Sequence, residues 1–206
     1  MKKLIALLAV MVMLFVATAQ ADTTIINENF SIRNGITFMM HKNQVMQIET
    51  QSGSDKSNSP ASLPEELGYG TTLLGYEASI GYWFDNNLIL EEFQYVLYSA
   101  TAYSAVVDTL TNKYGTPTFT SSSPFDTRIN LSKTHWYKSM GGSLSATTRD
   151  YKGWLVQYND CYVVIEVTSV YFQKLGTLFF VNYCPMSYEE VEAVMNNFQS
   201  AADNDL

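Results

Sequence analysis

The sequence predicts an α+β fold, an antiparallel sheet packed by two to three helices. Three observations carry this. Apolar residues alternate on both sides of Asp85-Asn86-Asn87 and in several runs from residue 134 onward, which is strand periodicity. Short turn signals separate these runs, so neighbours pair antiparallel; parallel pairs would need long crossovers. Two segments carry helical spacing instead, and strands that follow one another place the helices together on one face.

Residues 1–21 read as a signal peptide. Met1-Lys2-Lys3 is a basic start, residues 4–17 are apolar, and Ala19-Gln20-Ala21 has the small residues of a cleavage site. The apolar run is about 14 residues, shorter than the roughly 20 of a spanning helix. No cysteine follows the cleavage position, so release outside the cytoplasm is expected rather than lipid anchoring. Residues 22–206 then form one α+β domain, with a subdivision near 117–133 as the alternative. No later stretch is long and apolar enough to span a membrane.

Residues 30–38 read as a strand or short hairpin turning at Asn34-Gly35. A helix follows over 42–51, with Val45, Met46 and Ile48 inward. Residues 51–60 are rich in Ser, Gly, Asp and Asn and read as a loop. Residues 73–84 and 88–98 form a hairpin around Asp85-Asn86-Asn87. The clearest helix is 101–114, where Tyr103, Val106, Val107, Leu110 and Tyr114 share a face. Ser99 or Thr101 caps it, and Gly115 and Pro117 end it. Beyond 134 the predicted strands are 134–138, 143–149, 154–158, 161–171 and 177–183. Their turns fall at Gly141-Gly142, Lys152-Gly153 and Asn159-Asp160. A last helix covers 188 to about 199. Ser187 and Glu190 box its start, Val191, Val194, Met195 and Phe198 face inward, and an acidic tail frays.

The run Phe30-x-x-Arg33-Asn34-Gly35-Ile36-x-Phe38-x-Met40, leading into a helix with Val45 and Glu49, resembles the opening of uncharacterised secreted bacterial proteins. Those read as a strand, Phe-Gly-Met-Ser/Thr, then a Glu-Val helix. Tyr82-x-Phe84-Asp85-x-x-Leu88 and Tyr114-Gly115-x-Pro117 are similar too, so the likeness covers about residues 30–117. Here Met39 stands where Gly is usual, His41 where Ser or Thr caps, and Gln44 where Glu is usual. More distantly the pattern resembles β-lactamase-inhibitor-like and envelope-assembly lipoprotein folds. The resemblance implies a fold and an extracytoplasmic setting, and no catalytic residues.

The chain is acidic, with 12 basic and 20 acidic residues and a formal charge of −8. Cleavage removes Lys2 and Lys3 and no acid, so the charge grows more negative. Phosphate backbones repel such a chain, which excludes nucleic acid as the expected partner.

Cys161 and Cys184 are the two cysteines. In an oxidising compartment an even pair predicts a disulfide. A tight turn at Gln173-Lys174 would set the two opposite one another, at the roughly 5.5 Å Cα separation a bridge needs. The alternative is two buried thiols.

Chemistry is hard to find. Both His41 and His135 precede both cysteines, the reverse of papain-like order. No arginine follows Cys161 to hold an oxyanion, as a sortase-like site would require. G-x-S-x-G, S-x-x-K, H-E-x-x-H, C-x-x-C, EF-hand and glycine-rich phosphate loops do not occur, and no cofactor or metal is expected. His135, beside Trp136, reads first as a packed strand residue. Glu166 interrupts Val163-Val164-Ile165-Glu166-Val167. A carboxyl in apolar company could titrate high and act in glycoside hydrolysis. Alternation instead puts Glu166 with Tyr162, Val164 and Thr168 on a solvent face.

The expected function is therefore a secreted, non-enzymatic binding protein with an unknown protein, peptide or glycan partner. Trp83, Trp136 and Trp154 are the candidate binding aromatics, though core packing is the commoner use of such residues. A secreted hydrolase of cell-wall or carbohydrate material, using Glu166 or His135, is the alternative. An inhibitor-like domain against a secreted enzyme is a second, resting on fold analogy.

Overall fold

Leu74 and Gly75 both hold positive φ, 52° and 81°. Two such residues in succession make the tight turn whose twist matches its strands. The turn joins β2 (Glu66–Leu73) to β3 (Tyr76–Phe84), with Leu73 opposite Tyr76. A single arm from residue 73 was expected. Gly68 and Gly70 interrupt the apolar alternation of the preceding strand and hide it. Asp85 shapes the next reversal, its Oδ1 accepting from the backbone N–H of Asn87 and Ile89, each at 2.8 Å. The chain then enters β4 (Leu90–Leu97).

The computed structural model describes residues 24–26, 32–54, 65–120, 146–158, 160–173 and 176–204, with backbone alone for 24–26, 146–149 and 197–204. The expected signal peptide, the strand at 134–138, the turn at Gly141-Gly142 and the boundary near 117–133, apart from residues 117–120, lie outside the described residues. In addition to those above, the strands are β1 (Thr24–Ile26), β5 (Ala146–Tyr158), β6 (Cys161–Phe172) and β7 (Gly176–Ser187). They form one seven-stranded sheet, ordered β1-β5-β6-β7-β4-β3-β2. Six strands are antiparallel, and β1 adds to the β5 edge in parallel. The fold is α+β, as the sequence predicts.

Lys152-Gly153 is not a turn. β5 runs unbroken through it. Gly153 is there for another reason: a Cβ at this position would stand 2.6 Å from the Tyr151 hydroxyl. Pairing of β4 with β7, from Phe93 opposite Tyr183 to Leu97 opposite Phe179, joins the two halves of the chain. The rings of Phe93 and Tyr183 stack across it at 4.4 Å.

Helix α1 (Lys42–Gln51) begins at His41, whose Nδ1 accepts from the Asn43 N–H at 3.2 Å. The Gln44 carboxamide returns to the His41 N–H at 2.9 Å, completing a capping box without Ser or Glu. Met39, two residues before this cap, sits at φ 67°. Helix α2 (Ala100–Tyr114) is capped by Ser99 and stops at Gly115, φ 83°. Helix α3 (Tyr188–Asn204) continues through most of the expected frayed tail. Its Ser187–Glu190 capping box is formed as predicted.

The helices are not segregated. Val45 of α1 and Ala102, Val106 and Leu110 of α2 pack with Ile80, Phe93, Ile165 and Val181 on one sheet face. Val191 of α3 packs with Leu155, Val164, Cys184 and Met186 on the other. Both faces of the central strands are buried, so β6 and β7 carry near-continuous apolar runs rather than alternation.

Candidate binding site

Two polar clusters lie within the apolar layers, one on each face. On the α1 and α2 face, Glu49 is fully buried. Its Oε1 lies 3.2 Å from Nε of Arg33 and accepts from the Tyr82 hydroxyl, while Oε2 accepts from Ser54. Arg33 also donates to Thr71 Oγ1 and, at 3.4 Å, to Ser54. The guanidinium neutralises the carboxylate and the hydroxyls occupy its lone pairs, which is what a buried charge requires. Burial, and then the charge of Glu49, hold the Tyr82 hydroxyl far above its usual titration range. This cluster pins the Arg33–Ser54 segment to β2 and β3. Its acid is closed in by donors.

A second cluster lies on the α3 face. Cross-strand register sets Gly81, Gln94, Asn182, Glu166 and Gly153 in one row over β3, β4, β7, β6 and β5. Gln94 Nε2 donates to Asn182 Oδ1. Tyr151 leans over Gly153 and donates to Glu166 Oε1 at 2.9 Å. Thr168 stands two residues from Glu166 on the same face. Gln94, Glu166, Thr168 and Asn182 are all at least nine-tenths buried. Yet Asn182 Nδ2 and Thr168 Oγ1 have no hydrogen-bond partner among the described residues. At the other end of the row the half-buried Trp83 ring lies over Gly81, where a Cβ would be 2.6 Å from it. Its indole N–H is held by Glu66 at 3.2 Å.

The structure thus brings Trp83 and Glu166 to one face, at opposite parts of one strip. It removes Trp154 from consideration as an exposed aromatic. Trp154 points to the other face, is 1% exposed and donates to the Gly115 carbonyl at 2.9 Å. His135 and Trp136 lie outside the described residues.

Glu166 keeps its predicted partners in alternation but not its predicted solvent. It is 4% exposed because this face is covered too. Glu66, directly across from Trp83 in the β2–β3 register, is half-buried. Same-face neighbours of Glu166 on its own and adjacent strands are Val164, Thr168, Gly153, Tyr151, Leu155, Asn182, Phe180 and Cys184. Among these described neighbours none is a second acid or a histidine. Among the described residues no group of His, Cys, Asp and Glu could hold a metal ion.

The expected disulfide is absent. Cys161 and Cys184 are free thiols. The β6–β7 register sets Cys161 opposite Ser187 and Cys184 opposite Val164. The slip from the expected pairing is three residues. An odd slip sends the two side chains to opposite faces. Burial, and then Asp160, push the Cys161 thiol above its ordinary range, so it is a poor nucleophile at neutral pH.

Arg33 and Glu49 were legible as motif residues but not as a buried pair. Asn182, Thr168, Gln94 and Tyr151 were not singled out at all. One signal was available: Asn182 interrupts Phe179-Phe180-Val181 as Glu166 interrupts Val163-Val164-Ile165, and the two interruptions stand opposite each other. The fold and the strip define an α+β sheet protein with a buried polar row in one of its apolar layers. No protein-family model, curated protein or solved structure matches the chain.

Proposed function

We propose that this chain is a secreted, non-enzymatic binding protein of the cell envelope or extracellular space. The observation that carries the reading is the α3-face strip. It gathers the amides of Gln94 and Asn182 and the hydroxyls of Tyr151 and Thr168 near Glu166, with Trp83 and Glu66 at the far end of the row. The described neighbours of Glu166 on the same face of its own and adjacent strands include no second acid and no base. Such a set can orient a ligand by hydrogen bonds and offers no proton relay. Arg33 and Glu49 do not alter this, because the carboxylate is saturated by donors. The likeness of residues 30–117 to uncharacterised secreted proteins, and the basic and apolar start of the chain, support the extracytoplasmic setting within the same proposal.

The test is a panel of peptides, glycans and envelope proteins. Binding is followed through Trp83 emission, with Trp83→Phe as the blank, and each ligand is recovered and weighed by mass spectrometry. Saturable binding with ligand returned intact is expected. Conversion of a ligand that stops in Glu166→Gln would establish the hydrolase instead.

A further inference from the structure

We propose that the outer edge of β2 is a dimer interface, where β2 of one copy pairs antiparallel with β2 of a second copy about a twofold axis at Tyr69. Such a dimer is independent of the ligand-binding reading.

β2 is the last strand of the sheet, and among the described residues no strand pairs with its outer side. One bond fixes the direction of its backbone groups. The Phe84 N–H donates to the Glu65 carbonyl at 2.9 Å. Bonded and unbonded pairs alternate along an antiparallel ladder. Residues 67, 69, 71 and 73 therefore bond inward, to residues 82, 80, 78 and 76 of β3. The N–H and C=O groups of Glu66, Gly68, Gly70 and Thr72 point outward.

This edge lacks the common defences. Natural sheets blunt an edge with charge, proline or a bulge, because a bare row of backbone groups invites another strand. Leu67 to Leu73 holds no charged residue and no proline. Its register with β3 runs without a shift. Gly68 and Gly70 weaken the strand, and glycine within a strand suits the close approach of another backbone. Thr72 is exposed, and Leu74 just beyond it is 50% exposed.

The pattern on β2 is complementary to itself, as a twofold interface requires. Pairing centred on Tyr69 sets Gly68 opposite Gly70 and Glu66 opposite Thr72 of the second copy. Every outward N–H and C=O then has a partner. Leu67 falls opposite Thr71, and no acid faces an acid. An axis at Gly68 would set Thr72 opposite Pro64, which has no N–H to give. An axis at Gly70 would run Glu66 into the Leu74–Gly75 turn. The acids of the chain would draw a cationic peptide, but none lies within Leu67 to Leu73, so the edge itself does not select one. The formal charge of −8 opposes association of two copies, so the dimer should tighten as salt screens it.

The experiment is sedimentation velocity over a wide concentration series, at low and moderate salt, with circular dichroism confirming each fold. The protein is compared with Gly70→Pro, Thr72→Glu and Thr72→Lys. Proline is tolerated where its missing N–H faces away from the sheet, so Gly70→Pro removes an outward donor and spares the inner ladder. A reversible dimer is expected, weakened by about tenfold or more in Gly70→Pro. Thr72→Glu should weaken it too, because an acid would then face Glu66. Thr72→Lys, facing the same Glu66, should leave it as tight or tighter. If Gly70→Pro does not fold, the two Thr72 variants carry the test. A monomer at every concentration overturns the inference. So does a dimer unchanged in Gly70→Pro, which would lie on another surface. Equal weakening by Thr72→Glu and Thr72→Lys overturns the pairing centred on Tyr69.

Discussion

Arg33 and Glu49 meet inside the sheet–helix layer, Nε to Oε1 at 3.2 Å, with the Glu49 side chain sealed from solvent and the Arg33 side chain 17% exposed. One comes from the turn before α1 and the other from the inner face of α1. Their contact therefore fixes the angle at which that helix lies on β2 and β3. Removing one partner leaves a buried charge uncompensated. Arg33→Ala is expected to cost about 3–5 kcal/mol in urea unfolding. A loss under ~1 kcal/mol would mean the pair is solvated.

Tyr82 makes the protein sensitive to alkali. Burial first, and Glu49 second, raise its titration in the folded state. The unfolded chain loses this proton near pH 10 while the folded chain keeps it. Its contribution is intact below about pH 10 and declines above, by about 1.4 kcal/mol per pH unit. Unfolding free energies from pH 8 to 11 in the protein and in Tyr82→Phe should show the slope reduced by one proton in the variant.

The thiols should behave as two separate groups. Intact mass after denaturing alkylation should show two adducts without reductant, and reductant should leave the Tm unchanged. Under native conditions Cys161 should alkylate slowly, its thiol held up by burial and Asp160, and buried Cys184 should resist. A mass two hydrogens lower with no adducts would restore the disulfide.

Gly153→Ala tests the strip from its other end. The new Cβ would meet the Tyr151 hydroxyl at 2.6 Å and Phe119 at 3.2 Å, and would displace the donor to Glu166. A loss of about 1–3 kcal/mol is expected from overpacking. Gly81→Ala would press on the Trp83 ring, 2.6 Å from the new Cβ, so it should shift Trp83 emission.

Local elements were readable where one residue type answers one geometric need. The Ser99 cap and Gly115 stop of α2 and the Ser187–Glu190 box follow from capping chemistry confined to a few residues. What failed depends on register and layering. β2 was hidden because its glycines carry no side chains to alternate. The thiols were mispaired because three residues in a turn decide which face a strand residue takes. Alternation places Glu166 in water because it identifies two faces and cannot say that both are covered. The strip itself becomes visible only when Glu166 and Asn182, 16 positions apart in sequence, are set opposite by the β6–β7 ladder.

The most direct test of a binding face without chemistry is an NMR titration of the protein with its best-binding ligand, following the side-chain amides of Gln94 and Asn182 and the Trp83 indole proton. Saturable shifts at those three groups, with ligand signals unchanged over days, are the predicted result. Shifts confined to other surfaces, or ligand signals replaced by product, would contradict the account.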